Sequence, residues 1–192
     1  MAVHLTRIYT RTGDDGTTAL GDLTRIRKDD VRLVAYADTD EANAAIGVAL
    51  ALESRDEAAG RVLRQVQNDL FDVGADLAVP ITAETQQRLR VTQAYVDRLE
   101  ADCDRFNEDL EPLDSFVLPG GTPAAAQLHV ARTVVRRAER STWTLLAADP
   151  ERTSTLPAAY LNRLSDLLFI LARRANDRGA ADILWEPGAG RG

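Results

Sequence analysis

Two stretches of the chain, about a hundred residues apart, hold the side chains best suited to binding a polyanion. Thr10–Asp22 reads TRTGDDGTTALGD, a run of small hydroxyl and glycine residues with no hydrophobic period, followed by the basic patch Arg25–Lys28. Gly13 and Gly16 let the backbone curl until successive N–H groups converge on an anion. Thr10, Thr12, Thr17 and Thr18 add hydroxyl donors, and Arg11 and Lys28 add charge. The spacing of a P-loop is absent, so any phosphate cradle here is of another kind. The second stretch, Arg132–Arg140, reads RTVVRRAER. It contains no lysine, and the planar guanidinium fork binds phosphate oxygens in pairs, which an ammonium does not. In a chain of net charge −7, cations gathered at two places face a polyanion. A nucleoside triphosphate fits best, while the bulk negative charge argues against nucleic acid.

Other chemistries lack their residues. The single cysteine, Cys103, sits in EADCDRF with no basic neighbour to activate it and has no partner for a disulfide. The two histidines, His4 and His129, have no Cys, His or Glu at ligand spacing, so a transition-metal site on the protein is not expected. No run is long enough to span a bilayer, and the N-terminus lacks the apolar segment of a signal peptide, which reads as cytoplasmic.

The elements that must position these residues are helical. Apolar residues recur near a 3.6 period over Val31–Glu53, with Asp30 as its cap, and from about Asp56 to Ala78 with Val62, Val66, Leu70, Val73 and Leu77 on one stripe. A more polar helix runs from near Thr92 into Asn107–Glu111. FVLPGGTP then breaks the pattern: Gly120–Gly121 turn, Thr122 caps and Pro123 takes the first helical position. The fourth helix continues to Ala148, and the fifth runs from Thr155–Pro157 to Gly179. No stretch alternates with period two over a useful length. At 192 residues and 45% hydrophobic content, this is one all-α domain, a five-helix bundle with ferritin-like up-and-down packing. A flexible N-terminal nucleotide-binding arm (residues 1–29) precedes the bundle (30–179), and a short tail (180–192) follows it.

Two helices carry a second pattern beside the core seam. On the fourth, Leu128, Ala131, Val135, Ala138 and Leu145 form the seam, and Arg132, Arg136, Glu139 and Arg140 lie on a neighbouring stripe. Such a stripe also suits a solvated face trading surface ion pairs, each worth less than ~1 kcal/mol. On the fifth, Leu161, Leu164, Leu168, Leu171 and Ala175 form the seam, while Asn162, Asp166, Phe169 and Arg173 run along one line. The plain alternative is an interhelical hydrogen bond through Asn162 and a capping contact for Asp166.

In chain order, TRTGDDGTT, RIRKDD, AYADTDEANAAIG, VQNDLFDVGADLA, FVLPGG, ARTVVRRAER and YLNRLSDLLFILARRAN closely resemble the PduO-type ATP:cob(I)alamin adenosyltransferases, from about Arg7 to Pro187. The resemblance implies a five-helix bundle, assembled as a homotrimer with each active site between two subunits. It implies an ATP site of Thr10, Arg11, Thr12, Gly13, Thr18, Ala19 and Lys28 from the arm, Arg136, Arg137, Ala138, Glu139 and Arg140 from the fourth helix, and Asn162 from the fifth. Asp40 matches an acid that pairs with a neighbouring subunit's arginine, here Arg132. Phe116 matches the aromatic that replaces the lower axial ligand of cobalamin. Phe169 matches a residue of the corrin pocket, with Asp166 close to it. Two departures, Ala42 for leucine in DEAN and Ala37 for glycine after Tyr36, are expected to touch packing more than chemistry.

The implied reaction moves the adenosyl group of ATP onto cob(I)alamin and releases triphosphate, with catalysis carried by Arg136, Asp40, Arg132 and Phe116. Cob(I)alamin is itself the nucleophile, so no activated Ser, Cys or His is required. Mg²⁺ would be carried by the ATP phosphates, with no metal site on the protein. A flavoprotein or ferredoxin reductant would supply Co(I), and an adenosylcobalamin-dependent mutase would take the product. The alternative is a carrier that binds adenosylcobalamin and delivers it to such a mutase.

Overall fold

The computed structural model of the protein describes residues 9–52 and 56–189. Five helices occupy most of it: α1 (Val31–Leu52), α2 (Glu57–Leu77), α3 (Gln93–Asn107), α4 (Pro123–Ala148) and α5 (Leu156–Ala175). Their starts follow local chemistry. The Asp30 carboxylate accepts from Arg32 N at 2.8 Å, Asp56 accepts from Ala59 N at 2.9 Å, and Thr122 accepts from Ala125 N at 3.2 Å. Each satisfies a backbone donor that the first helical turn leaves free. A short 3-10 turn, Pro150–Arg152, bridges α4 and α5.

One cluster of buried apolar residues draws on all five helices, from Ala35 and Ile46 of α1 to Leu164 and Leu171 of α5. The expected seams, Leu128–Leu145 and Leu161–Ala175, lie in it at no more than 2% exposure except for Ala175, which is half-buried. Roughly 1.5–3 kcal/mol for each fully buried leucine makes such seams, rather than the polar stripes beside them, the source of the bundle's stability. Side-chain pairs fix the helix directions. Arg137 meets Glu41 and Ser141 meets Asp38, so α1 and α4 are antiparallel. Asn162 meets Glu139 and Ala175 meets Thr122, so α4 and α5 are antiparallel as well. Between α2 and α3, buried Asp69 accepts from Arg98 at 2.6 Å and from Tyr160 of α5 at 3.0 Å.

Two expectations need correction. The arm is not irregular throughout: β1 (Thr17–Ala19) and β2 (Arg25–Arg27) form an antiparallel pair, Thr18 opposite Ile26. Three residues per strand are too few for a period of two to be visible. Leu20, 6% exposed, and the bond from Gly21 N to Ala78 O at 3.2 Å pin this hairpin to the bundle. The last helix stops at Ala175, four residues before Gly179, because Asn176 leaves the helix and binds the Gly120–Thr122 loop. The tail also has a partner, through a bridge between Val117 and Leu184. Glu53, the expected end of the first helix, and His4 lie outside the described residues. Among the described residues no helix is long and apolar enough to cross a membrane.

Candidate functional site

The arm loop is built from its own polar groups. Lys28 N donates to Gly16 O at 2.9 Å, closing residues 16–28 into a ring. Arg25, the first residue of the basic patch, donates to Thr12 O at 2.7 Å and to the Thr17 hydroxyl, and lies 3.5 Å from the Asp15 carboxylate. The Thr17 hydroxyl and N–H in turn hold the Asp15 carboxyl below the usual carboxylate range. Thr10 and Thr12 share a hydroxyl hydrogen bond at 2.9 Å. A Cβ on Gly13 would sit 3.1 Å from Lys28 Nζ and 3.1 Å from Thr17 O, so the glycine allows the ammonium to lie against the loop. Arg11 takes a left-handed backbone at φ 62°, uncommon for a non-glycine residue. Thr12, Gly13, Thr17 and Lys28 thus converge, with Thr10 and Arg11 leading into them. Thr18 and Ala19 follow on β1.

Along α4 the arginine stripe divides. Arg136 and Arg140 are exposed, and Arg140 donates to Arg136 O at 3.0 Å. Arg137 reaches α1 instead, bonding Glu41 and approaching Asp38 at 3.7 Å. Ala138 is 0% exposed in the core. Its side chain packs into the seam beside the arginine stripe. Glu139 accepts from Asn162 Nδ2 at 3.1 Å, so the fifth-helix asparagine is tied to the stripe.

Arg132 and His129, one turn apart on α4, hold buried polar atoms without partners: Arg132 Nε and both imidazole nitrogens of His129. Burial, and then neighbouring Arg136, disfavour the charged form of Arg132. Burial, and then Arg132, push the His129 pKa below its ordinary 6.5, with Asp182 opposing. The Phe169 ring meets His129 edge-on at 6.0 Å between centroids. Asp166 lies one turn before Phe169 on α5. Its carboxylate pairs with Arg163 at 2.6 Å, beside Glu100 of α3, and it helps burial push the Cys103 thiol up to about 12. Arg173, placed on the same line by spacing, is buried and faces Asp182.

Asp40 is exposed on α1, at the wall of a groove of about 470 Å³ with Tyr36, Leu70, Phe71, Gly74 and Ala75. Ala37 also lines it, so the Tyr36–Ala37 departure bears on a surface rather than on packing, while Ala42 is buried as expected. Among the described residues neither Asp40 nor Arg132 has an ion-pair partner, and no hydrogen bond joins arm residues 10–28 to Arg132, Arg136 or Asn162. On one copy of the chain no hydrogen bond or ion pair among the described residues links these groups.

Phe116 stands out for exposure: the ring is 77% accessible, ahead of a fixed loop. Its one aromatic neighbour among the described residues is Trp185, at 5.9 Å. The tail's role was hidden in the sequence; the apolar run Ile183–Leu184–Trp185 was the available signal for a strand-like partner. Among the described residues no three His, Cys, Asp or Glu side chains group in a way that could hold a metal ion.

Comparison with known proteins agrees across the chain. The family model for cobalamin adenosyltransferase matches residues 8–175. A corrinoid adenosyltransferase of Mycobacterium tuberculosis strain H37Rv is 65% identical over 192 residues, covering 100% of this chain and 98% of that protein. The corrinoid adenosyltransferase PduO of Salmonella typhimurium is 40% identical over 180 residues, covering 93% of this chain and 53% of that protein. Among solved structures, a phenylalanine-to-histidine variant of a PduO-type ATP:corrinoid adenosyltransferase from Lactobacillus reuteri, complexed with cobalamin and ATP, superposes with a TM-score of 0.88 at 34% identity. The match covers 94% of this chain and 97% of that one.

Proposed function

The chain belongs to the cobalamin adenosyltransferase family and transfers the adenosyl group of ATP to cobalamin; we propose that it does so between two copies of itself, with the residue roles that follow. The arm loop at Thr10–Gly13, Thr18, Ala19 and Lys28 holds the triphosphate, and Arg136, Arg140, Glu139 and Asn162 complete the ATP site. Cobalt(I) of the corrinoid attacks the 5′ carbon of the ribose in line. The cobalt electron pair forms the Co–C bond, the C5′–O bond breaks, and its electrons leave on triphosphate. Charge grows on that leaving group, where a preorganised donor such as the unpaired Arg136 guanidinium is worth on the order of 3 kcal/mol. Mg²⁺ carried by the phosphates would supply further neutralisation. Asp40 of one copy pairs with Arg132 of the next. A trimer of such contacts is the assembly proposed, and the unpartnered Arg132 Nε and exposed Asp40 support it.

The observation that carries the reading is Phe116. On one copy of the chain the residue is 77% exposed, beside Trp185, and its ring has no lone pair to give to cobalt. Placed below the corrin it excludes the lower ligand, leaving a four-coordinate cobalt that a flavoprotein or ferredoxin reduces more readily. The enzyme would work in the cytoplasm and supply an adenosylcobalamin-dependent mutase. The test is anaerobic incubation with ATP, Mg²⁺ and chemically reduced cobalamin, followed by absorbance for the Co–C bond. A spectrum that depends on both ATP and protein is expected; no change would overturn the reading.

A further inference from the structure

Two stretches that the helices leave free, Ser115–Gly121 and Ala180–Trp185, are tied together at the end of α5 by three polar side chains. Arg173 Nε donates to Asp182 Oδ2 at 2.8 Å, and the two side chains are 7% and 2% exposed. Arg173 Nη2 donates to Glu111 O at 2.9 Å. Asn176, 1% exposed, donates to Asp182 Oδ1 at 3.1 Å and to Gly120 O at 3.3 Å, and accepts from Thr122 N at 3.0 Å. We propose that Arg173, Asn176 and Asp182 act as positioning residues for Phe116, setting the height and tilt of its ring; this rests on the reading of Phe116 as the group that takes the axial position.

The path from lock to ring is continuous. From Asp182 the tail runs antiparallel to the loop: Leu118 N donates to Ile183 O at 2.8 Å, and Trp185 N to Phe116 O at 2.7 Å. Ser115 Oγ donates to Trp185 O at 2.7 Å, and the indole lies against the Phe116 ring. No core packing holds a ring this exposed, so its position comes through the backbone of residues 115–118, and hence through the lock. The second glycine of the turn is demanded by the same contact. At Gly121, φ is 100° and a Cβ would fall 2.0 Å from Asn176 Oδ1, whereas a Cβ on Gly120 would meet nothing within 4 Å. A buried ion pair is a poor stability device, since apolar replacements of equal volume often serve as well. Its use here is geometric: a reactive constellation must be held to within about 0.5 Å.

The test is Asp182→Asn, which keeps the shape and removes the charge facing Arg173. Two assays are run: cob(II)alamin with reduced flavin, and cob(I)alamin generated chemically. The first should fall at least about tenfold and the second by less than roughly threefold, with a weaker four-coordinate signal in the EPR spectrum of bound cob(II)alamin. In a Trp143→Phe background, the emission of Trp185 should shift red. Gly121→Ala, which disturbs the lock from the loop side, should split the assays in the same sense if Asp182→Asn does not fold. Equal losses in both assays, tracking the folded fraction, would overturn the proposal. Phe116→Ala separates the two readings. If it splits the assays and the lock variants do not, the lock proposal alone fails; if Phe116→Ala does not split them, both fall.

Discussion

Arg136 and Arg137 are neighbours in sequence and opposites in circumstance. Arg137 turns inward to bond Glu41 on α1, while Arg136 stands exposed with no ion-pair partner among the described residues. A helix sends adjacent residues about 100° apart, enough to put one on the α1–α4 seam and the other on the ligand stripe. The solvated-face alternative for the arginine stripe would be strengthened by an acidic partner for Arg136, and among the described residues none is present.

Arg136→Lys keeps the charge and loses the fork. Turnover should fall at least about tenfold, equivalent to ~1.4 kcal/mol, with the helical circular dichroism unchanged. A lysine variant turning over at the original rate would place Arg136 on the solvated surface.

The arm hairpin makes the proteolysis of this segment more specific than its composition suggested. Arg25 and Arg27 lie in β2 and Lys28 closes the loop, whereas Arg11 precedes all of these contacts. Trypsin should therefore cut first after Arg11, and ATP with Mg²⁺ should slow that cut if the loop closes over the nucleotide. Cleavage at equal rates with and without ATP would remove the arm from the binding site.

The parts of this fold legible in the sequence are those with a repeating physical signal. Pro123 and Thr122 mark the start of α4, and its seam and that of α5 are buried as their spacing requires. Single side chains that act across long separations were not legible. Asn176 ends α5 by binding a loop more than fifty residues earlier, and Asp182 draws the tail onto Phe116; neither leaves a period. The same limit explains the line Asn162, Asp166, Phe169 and Arg173. Spacing put the four residues on one face of α5. Their partners on α4, on α5 itself and on the tail then divided that face into different environments.

His129 gives the fold a proton-linked stability. Burial and then Arg132 depress its pKa in the folded protein below the ordinary 6.5, so between the two values the unfolded chain binds the extra proton. Stability from this group is present above about pH 6.5 and is lost as pH falls below it, towards the folded pKa. Urea midpoints measured from pH 5 to 7.5 should rise with pH more steeply for the parent protein than for His129→Gln, since the carboxylates contribute alike to both. Parallel curves would mean that the imidazole is not excluded from water.

Phe116→Ala separates a packing role from a chemical one. Truncating a fully buried phenylalanine typically costs about 3–5 kcal/mol through lost burial and the cavity left behind. A ring 77% exposed has little burial to lose and no cavity to leave, and surface substitutions of that kind usually stay within about 0.5 kcal/mol. The variant should therefore melt close to the parent protein, with the lost contact to Trp185 as its main structural consequence. ATP binding should persist, because the ring belongs to none of the groups around the arm loop or the arginine stripe. Activity from cob(II)alamin with reduced flavin should collapse, whereas activity from chemically prepared cob(I)alamin should fall far less, because the attack at the 5′ carbon needs Co(I) and not the means of making it. A large drop in melting temperature with equal losses in both assays would instead show that Phe116 packs into a surface closed by a second copy of the chain, and the axial role would have to be given up.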